Sequence, residues 1–369
     1  MRSWWKSFCG PLPSCCRVAA VACMLTIACD SPVSPGPFAG YQLLFVNSEE
    51  GIGGEDIYRM NPDGTGRQNL TNLSTVQYPT FTLEVEYRSM ALSPDGRTIA
   101  FESSREGCPG IWGMNVDGSG LRKLSIGEYT TTRCNLLPVW SPDGNHIAFT
   151  TSREGKFSLY VMNAEGSNPL NVAPSLDDGL NAYLWATSWA PDGRVVFRNG
   201  SQGYIVNADG TNPELLFART GDHSAEWSPD GAKVAFIRMT ASGSSLFVMN
   251  ADGTDVRQLT NHPGRDEFWG DWTNDYDRWS PDGKRMVFTN EIDGRAELHV
   301  IDADGTNEVQ LTNYTAEFNG WAPDGRITFN SAVNGSQDLY LINPDGTGRV
   351  NLTNTPNSNE IRGLWVRRE

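Results

Sequence analysis

Trp140-Ser141-Pro142-Asp143-Gly144 is the stretch whose reading decides the fold. Proline presets its own φ, an aspartate carboxylate caps nearby backbone N–H groups and glycine accepts a positive φ, so the string is a tight turn closing a strand that ends in tryptophan. It returns at Trp227 to Gly231 and Trp279 to Gly283, and in altered form at Leu92 to Gly96, Trp189 to Gly193 and Trp321 to Gly325. A second turn string, Asn-x-Asp-Gly-Thr and its variants, answers downstream. Its glycines fall at Gly64, Gly118, Gly166, Gly210, Gly253, Gly305 and Gly346, 41 to 54 residues apart. Two interleaved turn signals at that period define a repeat array.

The unit from Pro138 to Ala173 keeps every signal in order. Val139-Trp140 ends a first strand, and His146 to Thr150 is a second, β-branched and aromatic. Ser158 to Met162 is a third, and Leu170-Asn171-Val172 is a weak outer one. Four short antiparallel strands per unit make a propeller blade. The frame recurs, with Leu259-Thr260-Asn261, Leu311-Thr312-Asn313 and Leu352-Thr353-Asn354 expected as outer strands. The opening unit lacks a first strand ahead of Leu43 to Val46, while Arg362 to Val366 carries the tryptophan of a first strand and then stops. The chain is therefore expected to be all-β: a seven-bladed propeller of four-stranded antiparallel blades, closed by its C-terminal strand.

A chain of 369 residues with net charge −15 repels phosphate backbones, which disfavours nucleic-acid binding. Arg2, Lys6 and Arg17 precede the apolar run Val18 to Ala28, which reads as the core of an export signal. Leu25-Thr26-Ile27-Ala28-Cys29 resembles the lipobox of bacterial lipoproteins, and the resemblance implies lipidation at Cys29; Thr26 leaves ordinary signal-peptidase cleavage open. Expected boundaries are residues 1–28 for the signal, 29–40 for a proline-rich tether and 41–369 for the propeller. Beyond Cys29 the sequence holds Cys108 and Cys134, placed in a hairpin and a blade crossing on one face. A disulfide between them is expected in an exported compartment.

The alternating Trp-Ser-Pro-Asp-Gly, Ile-Ala-Phe and Tyr-Val-Met-Asn-x-Asp-Gly-Thr strings resemble the TolB-like propeller repeat, a relative of WD-type repeats, from Tyr41 to Glu369. The resemblance implies the fold strongly and activity only weakly. TolB chains carry a further domain ahead of a six-bladed ring, whereas Cys29 to Gly40 alone is expected before the blades here. Related propellers gate prolyl-oligopeptidase-type peptidases, but Gly-x-Ser-x-Gly occurs nowhere in the sequence.

No catalytic constellation, metal or cofactor is expected. Asp302-Ala303-Asp304-Gly305 is the nearest word to a calcium loop but lacks its later carboxylates, so turn chemistry accounts for the repeated aspartates. His146, His223, His262 and His299 are scattered and do not match the histidine set of oligogalacturonate lyase, an enzyme on a related frame. Strand direction puts both turn strings on one face. The hairpins and crossings fall on the other, where Asn72 to Met90, Ser125 to Pro138, Pro174 to Ser188 and Asn261 to Arg278 vary in length. Candidate partner-binding residues on that loop face are Arg88, Trp185, His223, Asp275, Glu317 and Arg362, with Trp269, Trp272 and Tyr276 from the last loop. Two readings of those aromatics stand, a binding platform or a loop packed on itself. The expected role is a non-catalytic propeller, exported and lipid-anchored on the periplasmic side of the bacterial envelope, that binds a protein or peptide. The alternative is a propeller that binds or cleaves carbohydrate.

Overall fold

Each repeat forms short strands because its β-branched and aromatic runs are separated by turns that need only one capping acid and one glycine. The computed structural model describes residues 38–49, 54–72, 75–77, 82–84, 89–125, 134–176, 184–200, 202–217, 222–241, 243–262, 267–268 and 278–368. In the third blade Asn135–Trp140, His146–Thr151, Ser158–Asn163 and Leu170–Asn171 pair in chain order. Among the described residues seven four-stranded sheets follow this plan. The first takes Tyr41–Glu49, Asp56–Met60 and Gln68–Asn69 from the start of the chain and Ser358–Arg367 from its end. Leu43 faces Trp365 and Val46 faces Ile361 in that closing pair. The fold is a seven-bladed β-propeller.

One aromatic pair sits directly across the second and third strands of every blade: Phe45–Tyr58, Phe101–Trp112, Phe149–Tyr160, Phe197–Tyr204, Phe236–Phe247, Phe288–His299 and Phe329–Tyr340. All seven phenylalanines are fully buried. Each contributes roughly 2–3 kcal/mol of burial and fixes the register, because a one-residue slip would turn it to the opposite face. The blades then pack face to face, as where Phe149 of the third blade meets Ala100 and Ile111 of the second.

Three details differ from the sequence expectation. The Leu-Thr-Asn triplets lie just past the outer strands, which are Arg257–Gln258, Val309–Gln310 and Val350–Asn351. Their threonines serve another purpose: the Oγ1 atoms of Thr260, Thr312 and Thr353 accept the N–H groups of Leu246, Leu298 and Leu339 at 2.9–3.0 Å, as Thr71 does for Ile57. The long loop of the second blade contains a small hairpin, Thr75–Gln77 with Thr82–Glu84. The first strand of the sixth blade is split, with Glu267–Phe268 pairing at one end and Trp279 bridging Met286 alone at the other. The chain enters on the turn face, where Phe38 stacks on Trp365 with centroids 4.8 Å apart, and returns there, with Arg368 N–H bonded to Gly40 O.

Candidate functional site

A propeller presents a site where its inner strands converge, so the geometry begins there. Leu136, Trp185, His223, Glu317 and Ile361 each face the residue that follows the buried phenylalanine of the second strand: Thr150, Arg198, Ile237, Asn330 and Val46. All five stand four residues ahead of a first-strand tryptophan, so that spacing aligns them across the blades. In the sixth blade the equivalent place, opposite Thr289, belongs to Phe268 rather than to Asp275, because the insertion that splits the strand displaces the count. Just past this level the register of all five strands slips, and Leu137, Ser224 and Arg362 take left-handed φ values of 55°, 56° and 60°. These are β-bulges, which bend the inner strands and free backbone N–H groups from the ladder.

Polar side chains from the preceding blade collect such N–H groups, and one from the split strand of the sixth blade as well. Leu137 N donates to Glu102 Oε1 at 2.6 Å, Ala186 N to Thr150 Oγ1 at 3.1 Å, Arg278 N to Glu226 Oε1 at 2.6 Å and Gly363 N to Asn319 Oδ1 at 3.2 Å. Sequence reasoning missed this set. Its signal is a polar residue where a buried strand should read apolar, as at Glu102 and Thr150 beside their phenylalanines.

On the loop face, Trp185 is half-buried and stacks on Phe157 with centroids 4.9 Å apart. Glu317 accepts from Asn330 Nδ2 at 3.2 Å. Arg238 donates to both oxygens of Asp222 at 2.7 and 2.5 Å, and that bond raises the pKa of its guanidinium. Cys108 and Cys134 form a disulfide with Cα atoms 5.1 Å apart, tying the second-blade hairpin to the crossing into the third. Arg88, Trp269, Trp272, Asp275, Tyr276 and Cys29 lie outside the described residues, as does the side chain of His223.

The turn face is built differently. Asp95, Asp143, Asp230 and Asp282 each accept, through Oδ1, the hydroxyl of the serine two residues earlier (2.5–2.6 Å) and the N–H two residues later (3.0–3.2 Å). Those bonds, the hydroxyl first, hold all four carboxyls below the ordinary aspartate value, Asp143 at about 2. At the centre of this face opens a cavity of about 670 Å³ walled by tryptophans and prolines, among them Trp140, Trp321 and Trp365 with Pro94, Pro229 and Pro281.

His262 and His299, far apart in sequence, come to 6.3 Å between ring centroids and share Glu308, at 3.3 Å from His262 Nε2 and 2.8 Å from His299 Nδ1. His299 stands in the aromatic ladder opposite Phe288. Among the described residues no group of three or more His, Cys, Asp or Glu side chains is placed to hold a metal ion.

The family PD40, the TolB beta propeller domain, matches residues 131–267. The Tol-Pal system protein TolB of Anaeromyxobacter dehalogenans is 32% identical over 95 residues, 22% of this chain and 20% of that protein. The chain is a TolB-like β-propeller. The crystal structure of TolB from Acinetobacter baumannii superposes with a TM-score of 0.51 at 20% identity, covering 74% of this chain and 64% of that one. Oligogalacturonate lyase from Vibrio parahaemolyticus gives 0.56 at 11% identity, over 81% and 90%. At such identities these structures share the fold. The TolB-like propeller spans about half or less of the curated relatives it matches. No helix among its described residues is long and apolar enough to cross a membrane.

Proposed function

We propose that the TolB-like propeller is a non-catalytic binding protein of the bacterial envelope, exported, lipid-anchored through Cys29 on the periplasmic side, and taking a protein or peptide on its loop face. The observation that carries this reading is the contrast between faces. Turns on one side repeat nearly unchanged from blade to blade, whereas the opposite rim carries insertions of unequal length on a rigid ring. Similarity to TolB points the same way. Within this reading residues 1–28 are the export signal and 29–40 the tether. Trp185, Glu317 and Arg362 belong to the partner surface, together with Arg88, His223, Trp269, Trp272, Asp275 and Tyr276.

The test places a photo-crosslinking amino acid at Glu317 or, as a control, at the exposed Leu170 on the outer strand of the third blade, in the full chain in cells. A discrete protein adduct from position 317 alone supports the reading; equal labelling from both positions refutes it. Glycan capture that is lost with Trp185→Ala, without any protein adduct, would favour the carbohydrate alternative. Cys29→Ser is expected to release the protein from the membrane fraction.

A further inference from the structure

The cavity on the turn face is not used by the proposed function, and its chemistry is specific. The indole N–H groups of the tryptophans around it are already committed. Trp140 Nε1 donates to Ala91 O at 3.1 Å, Trp279 Nε1 to Glu226 O at 3.3 Å, Trp321 Nε1 to Arg278 O at 3.1 Å and Trp365 Nε1 to Thr328 Oγ1 at 2.8 Å. What the tryptophans offer a guest is ring surface, not donors. Trp140, Trp321 and Trp365 remain half-exposed, beside prolines that are fixed in their turns.

The rim supplies the opposite property. Asp95, Asp143 and Asp230 are exposed one residue beyond Pro94, Pro142 and Pro229. No described hydrogen bond uses Asp95 Oδ2 or Asp230 Oδ2, because Oδ1 alone serves the turn. An outer ring of exposed carboxylates from the second turn string, including Asp117, Asp209, Asp252, Asp304 and Asp345, surrounds them. Cations intervene at some blades: Arg194 lies 2.8 Å from Asp192, Lys284 3.8 Å from Asp282 and Arg326 2.7 Å from Asp324. Among the described residues the second, third and fifth blades keep their inner acids without an ion pair of that kind, with Arg97 near Asp95 and Lys233 near Asp230 acting only at longer range.

A guest of this mouth must bring its own donors and positive charge, and must present a compact apolar body to flat aromatic faces. Proline-containing segments dock on aromatic grooves at low entropic cost, and ammonium or guanidinium groups gain from both carboxylates and indole faces. The volume suits a few residues of peptide. We propose that the turn-face mouth is a second docking site, separate from the loop face, for a cationic proline-containing peptide segment, with prolines against Trp140, Trp321 and Trp365 and basic side chains on the arc of Asp95, Asp143 and Asp230.

Fluorescence anisotropy on the full chain tests it with three labelled decapeptides: alternating lysine and proline, lysine and glycine, and glutamate and proline. The lysine–proline peptide is expected to bind saturably, about tenfold tighter than lysine–glycine, and the glutamate peptide not at all. Asp95→Asn/Asp143→Asn/Asp230→Asn keeps the Oδ1 acceptors of the turns and is expected to weaken binding about tenfold with only a small fall in Tm. Trp321→Met removes ring surface; should it lower Tm, Pro281→Ser reads the same wall from an exposed position. Trp185→Ala and Glu317→Ala are expected to leave this affinity unchanged, which separates the site from the loop-face reading. Equal affinity for the two lysine peptides, or no saturation of either by about 1 mM, overturns the proposal.

Discussion

The indole Nε1 of Trp140 donates to the carbonyl oxygen of Ala91, 3.1 Å away across the seam between the second and third blades. The same bond joins Trp189 to Val139, Trp279 to Glu226 and Trp321 to Arg278, each acceptor being the residue just before the tryptophan position of the preceding blade. Together with the first-strand N–H groups held by Glu102, Thr150, Glu226 and Asn319, these bonds fasten adjacent blades at two levels. The tryptophan of the repeat is thus a staple between blades as well as the end of a strand.

Three seams depart from this: Leu92 carries no indole, Trp365 donates instead to Thr328 Oγ1, and the third yields a comparison. Trp227 holds the same place in the fifth blade, yet its Nε1 is buried without an acceptor among the described residues. Trp→Phe at either position loses similar ring area, but at Trp140 it also leaves Ala91 O unpaired, whereas at Trp227 it removes an unsatisfied donor. Trp140→Phe is expected to cost about 1–2 kcal/mol more than Trp227→Phe in denaturant melts. Equal costs would mean that the seam bonds contribute nothing net.

Ring closure rests on a second pair. Arg67, from the turn into the outer strand of the first blade, donates to Glu360 Oε1 at 2.7 Å, while its guanidinium lies 5.0 Å from the centre of the Phe45 ring and 5.2 Å from that of Tyr58. Glu360, in the C-terminal strand, is fully buried and also accepts the hydroxyls of Thr355 and Ser358 at 2.5 and 2.6 Å. Arg67→Met leaves that carboxylate buried beside hydroxyls only, at an expected cost of about 3 kcal/mol. Hydrogen exchange should then quicken in Tyr41–Glu49 and Ser358–Arg367 while the fourth blade keeps its protection. Uniform loss around the ring would show that closure is not the local weak point.

The difference between what was and was not legible in the sequence follows from where each signal lives. Blade number, strand order and the Trp365 closure are written in local strings, since turn residues and alternating apolar runs fix them without knowledge of neighbours. The Glu102, Asn319 and Trp140 bonds join residues 35 to 49 positions apart, and only the ring brings their partners together. The meeting of His262 and His299 on Glu308 is hidden for the same reason, because it spans the seam between the fifth and sixth blades. The Asp275 position shows the converse limit. Counting back from a tryptophan works until an insertion interrupts the strand, and pairing then moves to Phe268.

Acid sensitivity follows from the turn carboxylates. Asp63, Asp95, Asp117, Asp143, Asp209, Asp230, Asp252, Asp282, Asp304 and Asp345 all have lowered pKa values, in each case chiefly because a serine or threonine hydroxyl donates to the carboxylate. A carboxyl held lower in the folded state than its ordinary 3.8 adds stability above that value, and the contribution is lost as pH falls toward the folded value, about 2 for Asp143. Most are exposed and well screened, so each adds little and the effect is collective. Tm is expected to stay level from neutral pH to about 4.5 and then to fall steeply between about pH 4 and 2. Ser141→Ala, which removes the largest cause at Asp143, should lower Tm at neutral pH and make the acid fall smaller. A flat acid limb would contradict the origin assigned to these shifts.

The disulfide supplies the last test, because it links parts that also have other ties. Cys134 N donates to Ser152 Oγ at 2.8 Å, and Asn135 N bonds Pro109 O at 2.7 Å, so the crossing into the third blade is held on both sides of the bridge. The bridge joins residues with a sequence separation of 26, which in the chain-entropy account corresponds to about 3.5 kcal/mol of restriction on the unfolded chain. Cys108→Ser/Cys134→Ser is therefore expected to lower stability by about 2–4 kcal/mol while leaving the far-ultraviolet dichroism of the folded ring unchanged. Reductant should reproduce the shift in the parent and have no effect on the double variant. If reductant destabilises both equally, or the variant loses strand content, the bridge is needed to form the blades rather than to restrain the unfolded chain.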